Sequence, residues 1–154
     1  MARFKTIVEI SAPAASTTVP IASFIPPTSG TTKIRRIVMG VRAATPVSQG
    51  LTIRLQRQTA RGTASTTVAP LPIDPNSVPA LSAGIDTAWS GNPTLAANYL
   101  TEYSFNTQAL VDIPHEFMEE LIVAAGTANG LAFLNVGNAF PASHTLTLEI
   151  ENEE

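Results

Sequence analysis

Apolar and polar residues alternate along this chain in short runs, each closed by glycine, proline or asparagine. In HTLTLEIE, Leu146, Leu148 and Ile150 alternate with Thr145, Thr147, Glu149 and Glu151. That is the period of a strand with one buried and one wet face. In GLTIRLQRQ, Leu51, Ile53 and Leu55 oppose Thr52, Arg54 and Gln56 in the same way. The pattern predicts strands over 4–10, 18–25, 32–42, 50–58, 99–106, 119–125, 130–136 and 144–151, with shorter pieces near 63–69 and 85–89. Short strands separated by turn residues indicate an all-β sandwich or barrel. Eight or more strands make two packed sheets, so the expected fold is an antiparallel β-sandwich, jelly-roll-like, in one domain spanning 1–154.

Four stretches depart from simple alternation. Ile34 is followed by the apolar set Ile37, Met39 and Val41, so the phase slips at Arg35–Arg36. Either a β-bulge lies there or the stretch beyond Arg36 is buried on both faces. LIVAA-GTANG-LAFLNV reads as a central hairpin with Asn129-Gly130 at its turn, making residues 121–136 the most buried part of the fold. Prolines 70, 72, 75 and 79 deny residues 59–84 a central strand position and suggest a long loop. Residues 11–31, rich in Pro, Ser and Thr, suggest either an N-terminal arm or a loop with one edge strand. Tyr99, Tyr103 and Phe105 fall on one strand face, a core pattern.

Composition reinforces the β reading. Charged residues make up 14 % of the chain, against about 25 % in average proteins. Ser and Thr supply polarity instead, which suits strands and turns. The chain has no cysteine, excluding disulfides and thiolate metal sites. Charges interrupt MARFKTIVEISA where a signal peptide needs an apolar run, so use without Sec export is expected. No run approaches the ~20 apolar residues of a membrane span.

Charge changes the picture more. All nine Lys and Arg lie between Arg3 and Arg61, and eleven of the twelve acids lie between Asp74 and Glu154. Such segregation suggests a charged partner or another copy of the chain. If 32–42 pairs with 51–58 across AATPVSQG, Arg36, Arg42 and Arg54 share an outward face, with Gly40 opposite Arg54. Arg35, Arg36, Arg42, Arg54, Arg57 and Arg61 are therefore the candidate contacts with a neighbouring subunit or shell. The alternative is a solvated strand face. Nucleic acid fits poorly, because the acidic half would repel it and no aromatics are interleaved among the cations.

Catalytic motifs are missing: no GxSxG, HExxH, P-loop or GxGxxG. No catalytic residue, metal ligand or cofactor is assigned. Asp112, His115, Glu116, Glu119 and Glu120 could together bind a divalent cation, but a polar turn after Pro114 explains them equally simply. His144, at the start of an alternating strand, reads as a polar edge residue. Trp89, in TAWSGNP, reads as a plug at a sheet end or, for a receptor- or glycan-binding module, a stacking platform.

The phrases KIRRIVMGVRAATP, LTIRLQRQTARGTAST, IDTAWSGNPTLAAN and EELIVAAGTANGLAFLNVGNAFPASHTLTLEIE resemble small β-sandwich proteins of tailed-bacteriophage structural gene clusters. Capsid decoration (cement) and other head-surface proteins are among these. The resemblance covers roughly residues 30–151. It implies a non-enzymatic virion protein that oligomerises, with a trimer favoured, and stabilises the outer surface of a shell built from major capsid protein. It places the chain on the virion, and in host cytoplasm during assembly, with neither nucleic acid nor membrane as partner. A receptor- or glycan-binding tail or fibre module is the alternative.

Overall fold

The computed structural model describes residues 2–116 and 120–154. Its strands are β1 (Arg3–Ser11), β2 (Ala22–Ile25), β3 (Thr32–Ala43), β4 (Gly50–Ala60), β5 (Thr63–Val68) and β6 (Leu71–Pro72). They continue with β7 (Gly84–Gly91), β8 (Thr94–Asn106), β9 (Val111–Pro114), β10 (Leu121–Val123), β11 (Leu131–Asn135) and β12 (His144–Glu153). The described residues contain no helix. The strands form two six-stranded antiparallel sheets packed as a β-sandwich. The first runs β10–β3–β12–β1–β6, with β9 also on β3, and the second β5–β7–β2–β11–β4–β8. β10 pairs with Thr32–Ile34 and β9 with Arg36–Met39, so the two continue one another along one edge of β3.

Taking β9 and β10 as one interrupted strand exposes a nested order. β1 pairs with β12, β2 with β11, β3 with β9 and β10, and β4 with β8. The chain crosses between sheets at nearly every step. β5, β6 and β7 are an insertion between β4 and β8, and they widen both sheets on the β1 and β2 side.

Inward faces follow the period-2 pattern. Val8, Ile34, Ile37, Met39, Leu146, Leu148 and Ile150 of the first sheet belong to one core with Phe24, Leu51, Ile53, Leu55, Leu131 and Phe133 of the second. Each such side chain contributes roughly 1.5–3 kcal/mol when fully buried. The phase slip in β3 is a bulge. Glu151 pairs with Arg36 and Asn152 with Ile34, leaving Arg35 as the extra residue. Burial stays alternating beyond it, with Val38 only partly covered between Ile37 and Met39.

Several sequence expectations are corrected. β3 and β4 are not a hairpin: they lie in opposite sheets, and Gly40 faces Thr147, not Arg54. Alternation marks which side chains point inward, and two strands facing each other across a core carry the same signal as two paired neighbours. For the same reason 121–136 is a crossover, with β10 in one sheet and β11 in the other. Of its two strands β11 is buried throughout, whereas Ile122 of β10 is 48 % exposed. The left-handed residue of the connection is Gly126 (φ +100°). Gly130 is needed for space instead, since a Cβ there would lie 2.8 Å from the Phe24 carbonyl oxygen.

Segment 59–84 holds β5 and β6, the latter pairing Pro72 with Phe4 at a sheet edge, where a missing N–H is tolerated. Segment 11–31 is neither a free arm nor an edge. β2 sits between β7 and β11, Ile21 N–H donates to Phe133 O (2.8 Å) and Ser16 N–H to Asn135 O (2.7 Å). His144 lies on a central strand, 1 % exposed, its Nε2 accepting from Val47 N–H at 3.2 Å. Tyr99 leaves the core because Leu100 is skipped between the Thr101–Leu55 and Tyr99–Gln56 pairs. This irregularity turns Tyr99 outward while Tyr103 and Phe105 stay packed on the core. The start of the expected strand 119–125, Glu119, lies outside the described residues.

Candidate interaction surfaces

The nested order brings the two charge halves together. Acidic β12 lies between basic β1 and basic β3, so opposite charges stand side by side on the outer face of the first sheet. Glu151 is reached by Arg3 (3.3 Å), Lys5 (3.3 Å) and Arg36 (3.7 Å), and Lys5 also meets Glu149 at 2.9 Å. Arg36 grips Asp112 of β9 with two hydrogen bonds of 2.7 and 2.6 Å. The hydrogen bonds that Arg36 donates to Asp112 raise the Arg36 pKa and hold the Asp112 carboxyl below its ordinary value. Arg42 pairs with Glu9 at 2.8 Å.

At the bulge, Arg35 bonds Glu153 through Nε (2.5 Å) and Glu120 through Nη1 (2.7 Å), and Lys33 also reaches Glu120 at 3.4 Å. The extra residue lets two consecutive arginines each find acids.

On the second sheet, Arg54 pairs with Glu102 at 2.7 Å and lies over the Tyr99 ring, 4.6 Å from its centroid, within cation–π range. In the insertion, Arg61 holds Asp86 through Nε and Nη2, both at 2.8 Å, and Thr67 Oγ1 donates to the same carboxylate at 2.6 Å. Asp86 is fully buried, and its hydrogen bonds raise the Arg61 pKa.

The six candidate arginines therefore do not form one surface. Arg35, Arg36 and Arg42 lie on the first sheet, Arg54 and Arg57 on the second, and Arg61 in the β4–β5 turn. Five of them are engaged by acids of the same chain. Arg57 is the one Lys or Arg with no carboxylate partner among the described residues.

The proposed cation-binding residues are dispersed among other partners. Asp112 belongs to Arg36 and Glu120 to Arg35 and Lys33, while His115 N–H donates to Arg35 O (2.8 Å). Glu119 lies outside the described residues. Among the described residues no group of three or more His, Asp or Glu is placed to hold a metal ion. Trp89 is half-buried on β7 with its indole nitrogen enclosed and, among the described residues, without an acceptor, an orientation suited to a plug rather than a stacking platform.

A surface not singled out from the sequence lies on the insertion. Leu71 (71 %), Val78 (68 %), Ile7 (48 %) and Ile73 (46 %) are exposed. Ile7, Leu71 and Ile73 line a groove of about 310 Å³ with Val68, Ala69 and Lys5. Ile73 and Val78 line an adjoining hollow beside Arg3. The segment is tied down at both ends: Ile73 N–H donates to Arg3 O (2.9 Å), and Glu154 accepts from Leu81 N–H at 2.7 Å. The available signal was the apolar content of LPIDPNSVPAL, which the prolines disguised as a loop. The chain matches no family model and no curated protein.

Proposed function

We propose that this chain is a non-enzymatic virion structural protein: a jelly-roll sandwich that self-associates, with a trimer favoured, and decorates the outside of a phage capsid. The nested strand order supports the jelly-roll reading, since two Greek keys wrapped together give this pairing. The resemblance to head-surface proteins of tailed phages supports the location. The observation that carries the assembly reading is the apolar patch of Ile7, Leu71, Ile73 and Val78, held in place at the edge of the first sheet. Contiguous exposed apolar surface marks an interaction site more often than chance exposure does.

The internal charge pairing revises how assembly works. Cations already engaged within the subunit are poor anchors for a partner's acids, so the contact is apolar rather than a basic strip against an acidic one. Low overall charge makes such a contact easy to desolvate. Many weak contacts on a symmetric shell then add through multivalency. Cryo-EM of the parent particle tests the proposal. Density for the sandwich on the capsid exterior, with residues 71–78 against a neighbour, is expected. A fully resolved capsid surface lacking it rejects the decoration role.

A further inference from the structure

Arg57 continues the inward series Leu51, Ile53, Leu55 and stands beside Leu131 of β11, itself a core residue. It does so where the core opens to solvent, in a cleft of about 320 Å³ at the end of β4. Ile122 of β10, Ala124 just after it, and Asn129, before β11, complete the cleft with Gln58 and Thr59. We propose that this cleft binds a carboxylate, with Arg57 as its anchoring cation.

Two observations converge. Every other Lys and Arg of the chain meets an acid of the same chain, whereas Arg57 meets none among the described residues. Its guanidinium is also half-buried, and this burial lowers its pKa; a desolvated charge without a counter-charge is costly and is relieved by an anion. The core therefore ends, in this cleft, in a strong donor that no carboxylate of the described residues satisfies.

The chemistry selects the anion. One planar guanidinium supplies one charge and a two-pronged fork, which matches a carboxylate. Among the described residues no second cation lines the cleft to balance a phosphate dianion, and Ile122 and Ala124 offer apolar contact to an aliphatic body. The carboxylate could be a free short-chain acid or the side chain of an acidic polypeptide segment. The inference does not depend on the decoration reading, since a monomer in solution would bind equally.

The test is ¹⁵N NMR on the full chain, following Arg57 Nε–H and the amides of residues 57–59, 124 and 129. Sodium acetate, butyrate, phosphate and the blocked peptide acetyl-Ala-Glu-Ala-amide are each titrated at ionic strength fixed with NaCl. Saturable shifts are expected with butyrate and peptide, weaker ones with acetate, and only a small non-saturating drift with phosphate. Tighter binding of the peptide points to an acidic segment as the natural ligand, and tighter binding of butyrate to a free acid. Arg57→Gln is expected to weaken binding roughly tenfold or more. No saturable carboxylate shift, equal binding by Arg57→Gln, or phosphate binding as tightly as butyrate would overturn the proposal. If Arg57→Gln does not fold, the wild-type titration alone decides, with Arg57→Lys, which keeps charge but loses the fork, expected to bind more weakly.

Discussion

Arg61 closes both nitrogens of its fork on Asp86, a fully buried carboxylate of β7, at 2.8 Å each. The pair links the turn after β4 to a strand three elements of insertion later, and Thr67 of β5 completes it at 2.6 Å. Removing Arg61 leaves a buried charge with one neutral donor. Arg61→Ala is therefore expected to cost about 3 kcal/mol, the lower end for a broken buried pair because the arginine is part-exposed. Asp86→Asn, which keeps Thr67 as a possible donor and removes the buried charge, is expected to cost less. Urea unfolding of both variants checks the ranking; equal losses would mean that the pair is solvated and structurally minor.

Asp112 sets an acid limit on the outer lattice of the first sheet. Its folded pKa lies below the ordinary 3.8 because Arg36 hydrogen-bonds it, and the Arg36 charge adds to this. The associated stability is present above the unfolded pKa and is lost as pH falls from about 4 through the lower folded value. The Lys5 pKa is raised above 10.5, first by its hydrogen bond to Glu149 against opposing desolvation, so its contribution is present below 10.5 and is lost only at more alkaline pH. The urea midpoint should fall below about pH 4, and Asp112→Asn should make that limb shallower. Arg36→Glu, which sets a third carboxylate beside Asp112 and Glu151, should lower Tm more than Arg42→Glu, which meets Glu9 alone. Because these pairs are internal, 0.5 M NaCl should change Tm slightly and leave the sedimenting mass unchanged.

Gly84 is the position where the insertion can least tolerate a side chain. Its φ is +104°, and a Cβ would land on the Val68 carbonyl group of β5. Gly84 also pairs with Ile25 of β2, where β7 joins the second sheet. Gly84→Ala combines backbone strain with a clash against another strand's backbone, and a loss of about 2 kcal/mol or more is expected. Gly50, with open space around it, is the control, and Gly50→Ala should be near neutral by chemical denaturation.

How far the fold was legible depended on what each signal encodes. Period-2 alternation located β1, β3, β4 and β12 and the phase slip at Arg35–Arg36, because a buried face leaves its mark in every second residue; that the slip is a bulge and not a stretch buried on both faces came from the strand pairing. It could not assign strands to sheets: Ile37 and Ile53 point into the same core from opposite sides. The arginine face of Arg36, Arg42 and Arg54 dissolved for that reason. The charge split was legible, but its meaning was not, since only the nested order places Glu149 and Glu151 between Lys5 and Arg36. β9 escaped notice because Val111 and Ile113 are too short a run to show periodicity. Tyr99 was misplaced by a skipped residue, Leu100, that no pattern announces.

The apolar patch yields the sharpest test of self-association. Leu71 and Ile73 are mostly or half in solvent within one subunit, so replacing them should change subunit stability by only about 0.5 kcal/mol each. In an interface, truncating buried apolar anchors usually costs far more, often above 1 kcal/mol per residue. A Leu71→Ser, Ile73→Ser double variant should therefore keep a wild-type circular dichroism spectrum while sedimenting as a monomer at micromolar concentration, where the wild type sediments as an oligomer. Val19→Ser, at an exposed apolar residue outside both hollows of the patch, should leave the mass unchanged. A wild type that sediments as a monomer across the micromolar range, or a double variant with undiminished mass, would remove the patch as the contact between copies.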